Sequence, residues 1–424
     1  MKGIYLMAVK VIGAGLAGCE AAWQLAKAGI DVELYEMKPK KFTPAHKYMG
    51  FAELVCSNSL KADRIDSAAG MLKEEMRRLG SVTMECAAET KVSAGGALAV
   101  DRKKFSDMVT AKIMENPHIT VIEEEVTDIP DGDVIIATGP LTSDELAVTY
   151  ESLDKDKVFF ASRYGKGEAD YINCPMNKEE YLRFYNELIN AESAPLHDFD
   201  KEHFSKDGFK VYEGCMPVEV LAKRGEDTMR FGPLKPVGLT DPRTGNRPYA
   251  VVQLRAENAE GSMYNLVGFQ TNLKFGEQKR VFSLITGLEN AEFIRYGVMH
   301  RNTFINSPKL LNPQFNMRDR DNLYFAGQMT GVEGYIESAA SGIFAGLSMA
   351  RRLQGKPAVT LPDTTMLGAL SKYISDPTVE KFQPMGCNMG ILPELPERIR
   401  DKKLKYKMIA ERGLADLDKA IEEF

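Results

Sequence analysis

"VKVIGAGLAGCEAAWQLAKAGIDVELYE", residues 9 to 36, decides the fold. Residues 9 to 12 read as a short buried strand. A glycine turn follows, and a helix runs through Ala28 to a stop at Gly29. Residues 30 to 36 alternate as a second strand does. Strand, glycine turn, helix and strand form the opening unit of a doubly wound α/β fold. Gly13, Gly15 and Gly18 stand in G-x-G-x-x-G spacing, separated by Ala14, Leu16 and Ala17. Gly13 permits the tight turn, Gly15 lets the backbone approach a pyrophosphate, and Gly18 lets helix and strand pack closely. The helix amino terminus then meets the phosphate charge. Glu36 ends the second strand, where a carboxylate accepts hydrogen bonds from ribose hydroxyls. The pattern predicts a bound dinucleotide.

Working outward, the 424 residues are 44% hydrophobic, enough for more than one core. No run approaches the roughly 20 apolar residues that span a bilayer. Lys2 and the apolar residues after it imitate a signal peptide, but cleavage there would destroy the glycine loop. The six cysteines are scattered without a Cys-x-x-Cys pair. That spacing argues against a zinc ribbon, a dithiol reductase and a secreted disulfide scaffold, and predicts a cytoplasmic, metal-free protein. The net charge of −6 excludes a general nucleic-acid glue. A local basic surface is still available in "RIRDKKLKYK", residues 398 to 407, although such a run also suits a solvated helix face.

Two later stretches extend the first domain. "GDVIIATGP" (132 to 140) reads as a buried strand broken at Gly139, and "DNLYFAGQMTG" (321 to 331) as a further strand and turn. "VEGYIESAASGIFAGLSMARRL" then leads into a helix of small residues. Between them the texture changes to polar, Pro-containing and aromatic sequence with alternating runs such as "YAVVQLRAE" and "YNLVGFQTNL". The expected fold is therefore a Rossmann-like FAD-binding domain (1–150 and 300–365) with an inserted α+β domain (151–299). Residues 366–424 return to the first domain and end in a helix.

The glycine loop alone does not separate FAD from NAD. "VIIATGP" resembles the strand that flavoproteins return beneath the nucleotide, and "LYFAGQMTGVEGY" their carboxy-terminal flavin motif, with Gln328 where many relatives carry an acid. Gly139, Gly327, Gln328, Gly331 and Tyr335 thereby join the candidate cofactor contacts. A helix amino terminus there would stabilise negative charge on a reduced flavin ring. The plainer reading is an ordinary close-packed helix.

Taken together, "VIGAGLAGCEAA", "ELVCSNSL", "GALAVDR", "IIATGPLTS", "SRYGKGEADYINCPM", "YEGCMPVE", "RFGPLKPVGL", "YNLVGFQTNLKFGEQKRVF", "HRNTFINSP" and "GQMTGVEGYIESAASG" carry a family likeness over nearly the whole chain. The chain resembles the folate- and FAD-dependent tRNA uracil-5-methyltransferases, the TrmFO family, smaller cousins of the wobble-uridine flavoproteins. It departs from the family between "GPLTS" and "DKVFF", where only "DELAVTYESLDK" joins segments usually further apart. Phe275 stands where a Trp is expected.

The resemblance implies a specific reaction. Methylenetetrahydrofolate donates a methylene, reduced FAD reduces it, NADPH or NADH supplies electrons, and a tRNA T-loop uridine becomes 5-methyluridine. Uracil C5 is a poor nucleophile until a thiolate adds at C6, and the C5 proton must later leave. That chemistry wants one activated thiolate and one acid–base group. By resemblance Cys215, in "YEGCMPVE", is the C6 nucleophile, and Cys56, in "VCSNSL", serves proton handling or the flavin-bound methylene. Cys19, Cys86, Cys174 and Cys387 read as packing residues. Tyr335 and Glu337 are candidates to contact flavin or folate, and Lys279, Arg280 and Arg301 to receive the folate glutamate or RNA phosphate. The alternatives are the same chemistry on ribosomal RNA, an FAD-dependent oxidoreductase of a small metabolite, and an FAD-binding interaction protein without turnover.

Overall fold

Gly13 takes φ +100°, and a Cβ there would lie 2.7 Å from the Ala137 carbonyl oxygen. Only glycine lets the first strand turn into its helix at this point. The computed structural model describes residues 8–42, 46–139, 146–165, 169–194, 216–257, 260–296, 304–380 and 382–423. Around that turn a five-stranded parallel sheet assembles in the order Leu323–Phe325, Val134–Ile136, Val9–Ile12, Val32–Glu36, Ile119–Glu123. Its strands are short and rich in Val and Ile, as suits a sheet covered on both faces.

The helix Leu16–Lys27 lies against the long helix Tyr335–Leu353. A Cβ at Gly342 would sit 2.1 Å from the Ala17 carbonyl oxygen, and one at Gly346 2.6 Å from that of Ala21. The small residues of both helices therefore let two backbones approach at near contact. This packing and a cofactor role coexist, because the first turn of the long helix opens on the site described below. The helices Met366–Ser375 and Lys402–Glu422 bury Leu367, Leu370, Ile409 and Leu417 in the same core.

A second, antiparallel sheet has its own core, built on residues such as Phe184, Val252, Leu266 and Phe282. Its order is Phe293–Arg295, Ala147–Thr149, Met263–Leu266, Ala250–Ala256, Tyr171–Met176, Phe159–Phe160. The boundary drawn at 150 differs from this sheet membership. Ala147–Thr149 pairs with Met263–Leu266, so the second unit begins before the expected residue 151. A small sheet of Ser59–Ala62, Ala97–Val100 and Lys91–Val92 completes the first unit. Among the described residues no helix is long and apolar enough to cross a membrane.

Candidate active site

A cavity of about 320 Å³ opens at the carboxyl ends of the parallel strands, where doubly wound folds take their ligands. Gly13, Gly15, Leu16 and Ala17 line it after the first strand, and Glu36 after the second. Gly139, Gly327, Gln328 and Tyr335 close it. A Cβ on Gly15 would meet no protein atom within 4 Å. The missing side chain thus leaves room on the cavity side rather than relieving a protein clash. Gly18 differs: its Cβ would fall 1.8 Å from the Gly13 carbonyl oxygen, so it serves helix–strand packing.

Glu36 is buried and its carboxylate is already a structural bridge. Oε2 accepts from the Ala14 N–H at 2.9 Å and Oε1 from the Lys38 N–H at 3.0 Å. Each oxygen keeps a second lone pair for a ribose hydroxyl. A glycine edge without Cβ beside an acid at the strand end fits a dinucleotide. Ala14 contributes through that bond rather than by lining the cavity. Gly331 is a correction: it is absent from the cavity wall, takes φ +87°, and a Cβ there would meet the Phe382 ring at 2.3 Å. Its glycine is required by that ring.

Cys56 is half-buried on a loop beside the wall residues Glu53 and Val55. Its backbone N–H donates to the Tyr335 hydroxyl at 2.5 Å, and the Ser57 N–H donates to the same oxygen at 3.0 Å. Its carbonyl accepts from Nη2 of Arg102 at 2.7 Å. Nε2 of Gln270 approaches its sulfur at 3.9 Å. Cys215 and Arg301 lie outside the described residues. The chain is described again from Met216, and the Val218 N–H donates to the Gln270 carbonyl at 2.7 Å. One residue, Gln270, therefore touches both the Cys56 thiol and the backbone three positions past Cys215.

The other cysteines divide. Cys19 and Cys174 are fully buried, and burial pushes both thiols well up from their usual range. Burial likewise raises Cys86, to about 12. Cys387 is less bland than expected: its N–H donates to Oε1 of Glu337 at 2.9 Å, and its thiol is pushed up by burial and by that carboxylate. Glu337 is fully buried, pairs with Nζ of Lys61 at 2.6 Å, and does not line the cavity. Glu337, expected as a contact of flavin or folate, is engaged through Oε1 in this internal cluster. Arg280 is bound to Glu277 and Glu187 on the second unit's surface. Phe275 is 57% exposed and stacks on Tyr296 at 5.2 Å.

Sequence reading missed Lys38, which lines the cavity and whose buried Nζ donates to the carbonyls of Tyr48 and Gly50 at 3.2 and 2.6 Å, tying that segment to the end of the second strand. Thr138 and Ser338 also line the wall unforeseen. Their neighbours Gly139 and Tyr335 were the available signal.

A family model described as "Glucose inhibited division protein A" matches residues 8–148 and 141–357. Two crystal forms of Aquifex aeolicus GidA share the fold at 16% identity, with TM-scores of 0.65 and 0.64. They cover 100% and 98% of this chain and 76% and 78% of theirs. The methylenetetrahydrofolate–tRNA-(uracil-5-)-methyltransferase TrmFO of Acetivibrio thermocellus is 58% identical across 98% of this chain and 99% of its own. The protein of that name from Enterococcus faecalis is 57% identical across 96% and 97%. With a cavity of this geometry and identity of this extent, the chain belongs to the TrmFO family.

Proposed function

We propose that the protein methylates uracil C5 in tRNA, using methylenetetrahydrofolate as one-carbon donor and FAD as its bound cofactor. The observation that carries this reading is Gln270, which links the Cys56 thiol to the backbone of Val218, three positions past Cys215 in sequence, on the side of the loop whose Glu53 and Val55 line the glycine-edged cavity. Bound reduced flavin supplies the hydride that completes the methyl group. The glycine edge at Gly15 would hold the cofactor's pyrophosphate and the Glu36 carboxylate its ribose.

The chain's own residues perform the uracil steps. The Cys215 thiolate adds to C6 and makes C5 nucleophilic. After C5 has taken the methylene carbon, the C5 proton leaves to a base at Cys56 and the bond from the methylene to its carrier breaks, leaving a double bond from C5 to that carbon; hydride addition to the carbon then expels the Cys215 thiolate and restores the ring. An ordinary thiol, with pKa near about 8.5, is only a few per cent ionised at neutral pH. Hydrogen-bond donors and positive charge beside a thiol favour its thiolate, and the Gln270 amide is such a donor beside the Cys56 sulfur.

The reading extends to a T-loop uridine, with NADPH or NADH as reductant. Purified protein given labelled methylenetetrahydrofolate, either nicotinamide and tRNA should place label at a single uridine. Label entering ribosomal RNA instead would redirect the substrate. A yellow protein that oxidises NAD(P)H but labels neither RNA would return it to small-metabolite redox chemistry.

A further inference from the structure

Three consecutive residues of the second unit hold three consecutive residues of the Cys56 loop. Arg255 closes on the loop from the strand Ala250–Ala256, donating from Nε to Oδ1 of Asn58 at 2.8 Å and from Nη2 to Oγ of Ser57 at 2.5 Å. The carbonyl of Ala256 accepts from Nδ2 of Asn58 at 2.8 Å. Glu257 accepts from Nη2 of Arg102 at 2.9 Å, and that nitrogen also donates to the Cys56 carbonyl at 2.7 Å. Residues 255, 256 and 257 thus fasten residues 58, 57 and 56, directly or through one guanidinium.

This is costly construction for a simple domain contact. Arg255 is 7% exposed, Glu257 4% and Asn58 0%. Burying charged and amide groups is expensive unless their geometry is well matched, and apolar side chains would glue two units at lower cost. What a planar guanidinium adds is direction, because its two bonds have a fixed angle between them. The loop it orients carries the thiol one residue before Ser57.

We propose that Arg255 is a positioning residue for the Cys56 thiol, so that the thiol takes its working place only when the second unit is docked. The inference rests on the methyl-transfer reading, in which Cys56 participates. Among the described residues, the titratable and charged groups bonded to this loop or to its partners include Tyr335 on the long helix, Arg102 on the helix Arg102–Met114, and Arg255 and Glu257 from the second unit. Loss of the Arg255 cation takes a positive charge from beside the loop that carries Cys56, and positive charge nearby favours a thiolate. Loss of its fork misplaces the thiol even when the charge is kept.

The test compares full-length, flavin-loaded protein with Arg255→Met and Arg255→Lys. Bound flavin, methyl transfer to tRNA, and iodoacetamide labelling of the Cys56 peptide across pH are measured by absorbance, kinetics and mass spectrometry. In Arg255→Met, kcat per bound flavin falls by about tenfold or more, KM for tRNA is retained, and the Cys56 labelling midpoint moves up. Arg255→Lys keeps the midpoint near that of the parent but loses a similar share of kcat. A merely structural Arg255 would lower flavin content or melting temperature and leave kcat per bound flavin and the midpoint unchanged; that result overturns the inference. Should Arg255→Met fail to fold, the Lys variant decides alone through its kcat per bound flavin. A parent protein that transfers no methyl group defeats the functional reading instead, and the labelling midpoint then decides the placement of Cys56 by itself.

Discussion

Tyr335 holds Cys56 by its backbone: the phenolic oxygen accepts the Cys56 N–H at 2.5 Å, joining residues 279 positions apart. The same oxygen accepts the Ser57 N–H at 3.0 Å, and burial pushes the phenol well above its usual range, so it stays neutral and keeps its proton. Tyr335→Phe removes the acceptor and leaves two N–H groups unsatisfied, at about 1–3 kcal/mol each when buried. Melting temperature and methyl transfer should both fall while flavin remains bound. Unchanged turnover would show that the loop is held without the phenol.

Gly15 and Gly18 should fail in different ways. Gly15→Val points its side chain into open cavity, so the apoprotein folds with its normal melting temperature but loses flavin. Gly18→Ala drives a methyl into the Gly13 carbonyl and destabilises the apoprotein itself, by about 1–3 kcal/mol or more. Glu36→Ala belongs between them, because it removes the Ala14 and Lys38 backbone bonds as well as the ribose acceptor. Full flavin content in Gly15→Val would sink the assignment of the loop.

The thiol roles separate on a tRNA carrying 5-fluorouracil. Fluorine cannot leave C5 as a proton, so the protein stalls as a covalent RNA adduct visible on a denaturing gel. Cys215→Ala should abolish the adduct and turnover yet keep flavin. Cys56→Ala should lose turnover and retain some adduct, because it acts after addition. The opposite pattern would exchange the two roles.

Glu75 predicts a pH-dependent stability. It is fully buried, accepts the N–H groups of Met366 and Leu367 at 2.7 and 2.9 Å, and burial pushes its carboxyl from 4.5 up to about 7. A raised carboxyl favours the protonated folded state. Its contribution is therefore complete below about pH 4.5 and is lost as pH rises through about 7, on the order of 3–4 kcal/mol in all. Glu75→Gln does not ionise, so its melting temperature should vary less between about pH 5 and about pH 8. Parallel profiles for the two proteins would exclude Glu75 as the titrating group.

The basic run at the start of the helix Lys402–Glu422 gives a salt test. Lys402 and Lys403 are exposed, whereas Lys405 pairs with Glu394 at 3.2 Å. If the run touches tRNA, Lys402→Gln with Lys403→Gln should flatten the dependence of log K on log salt by roughly 0.7 to 0.9 per lost phosphate contact. An unchanged slope makes it a solvated helix face.

Legibility followed the range of the interaction. The opening strand, turn and helix were readable because glycine spacing and apolar period act over a few residues, and Glu36 was placed by the same local logic. The membership of Ala147–Thr149 in the second sheet was not, because its partner Met263–Leu266 is more than a hundred residues away. Gly331 misled for a related reason. A glycine can answer to a ligand or to a ring, and Phe382 arrives from a distant segment. Cys56 was singled out by its family likeness, but Tyr335, Gln270 and Arg255 gather around it only in three dimensions.

The close pairing of Leu16–Lys27 with Tyr335–Leu353 has a consequence for biosynthesis. The two helices that frame the cavity are separated by some three hundred residues of chain. At about 5–20 residues per second, the first waits roughly a quarter of a minute to a minute for the ribosome to release its mate. The antiparallel unit, contiguous from Ala147 to Arg295, emerges in full during that interval. It should therefore become protease-resistant on the nascent chain first, leaving the glycine loop as an unfinished half-site until the last small-residue helix arrives.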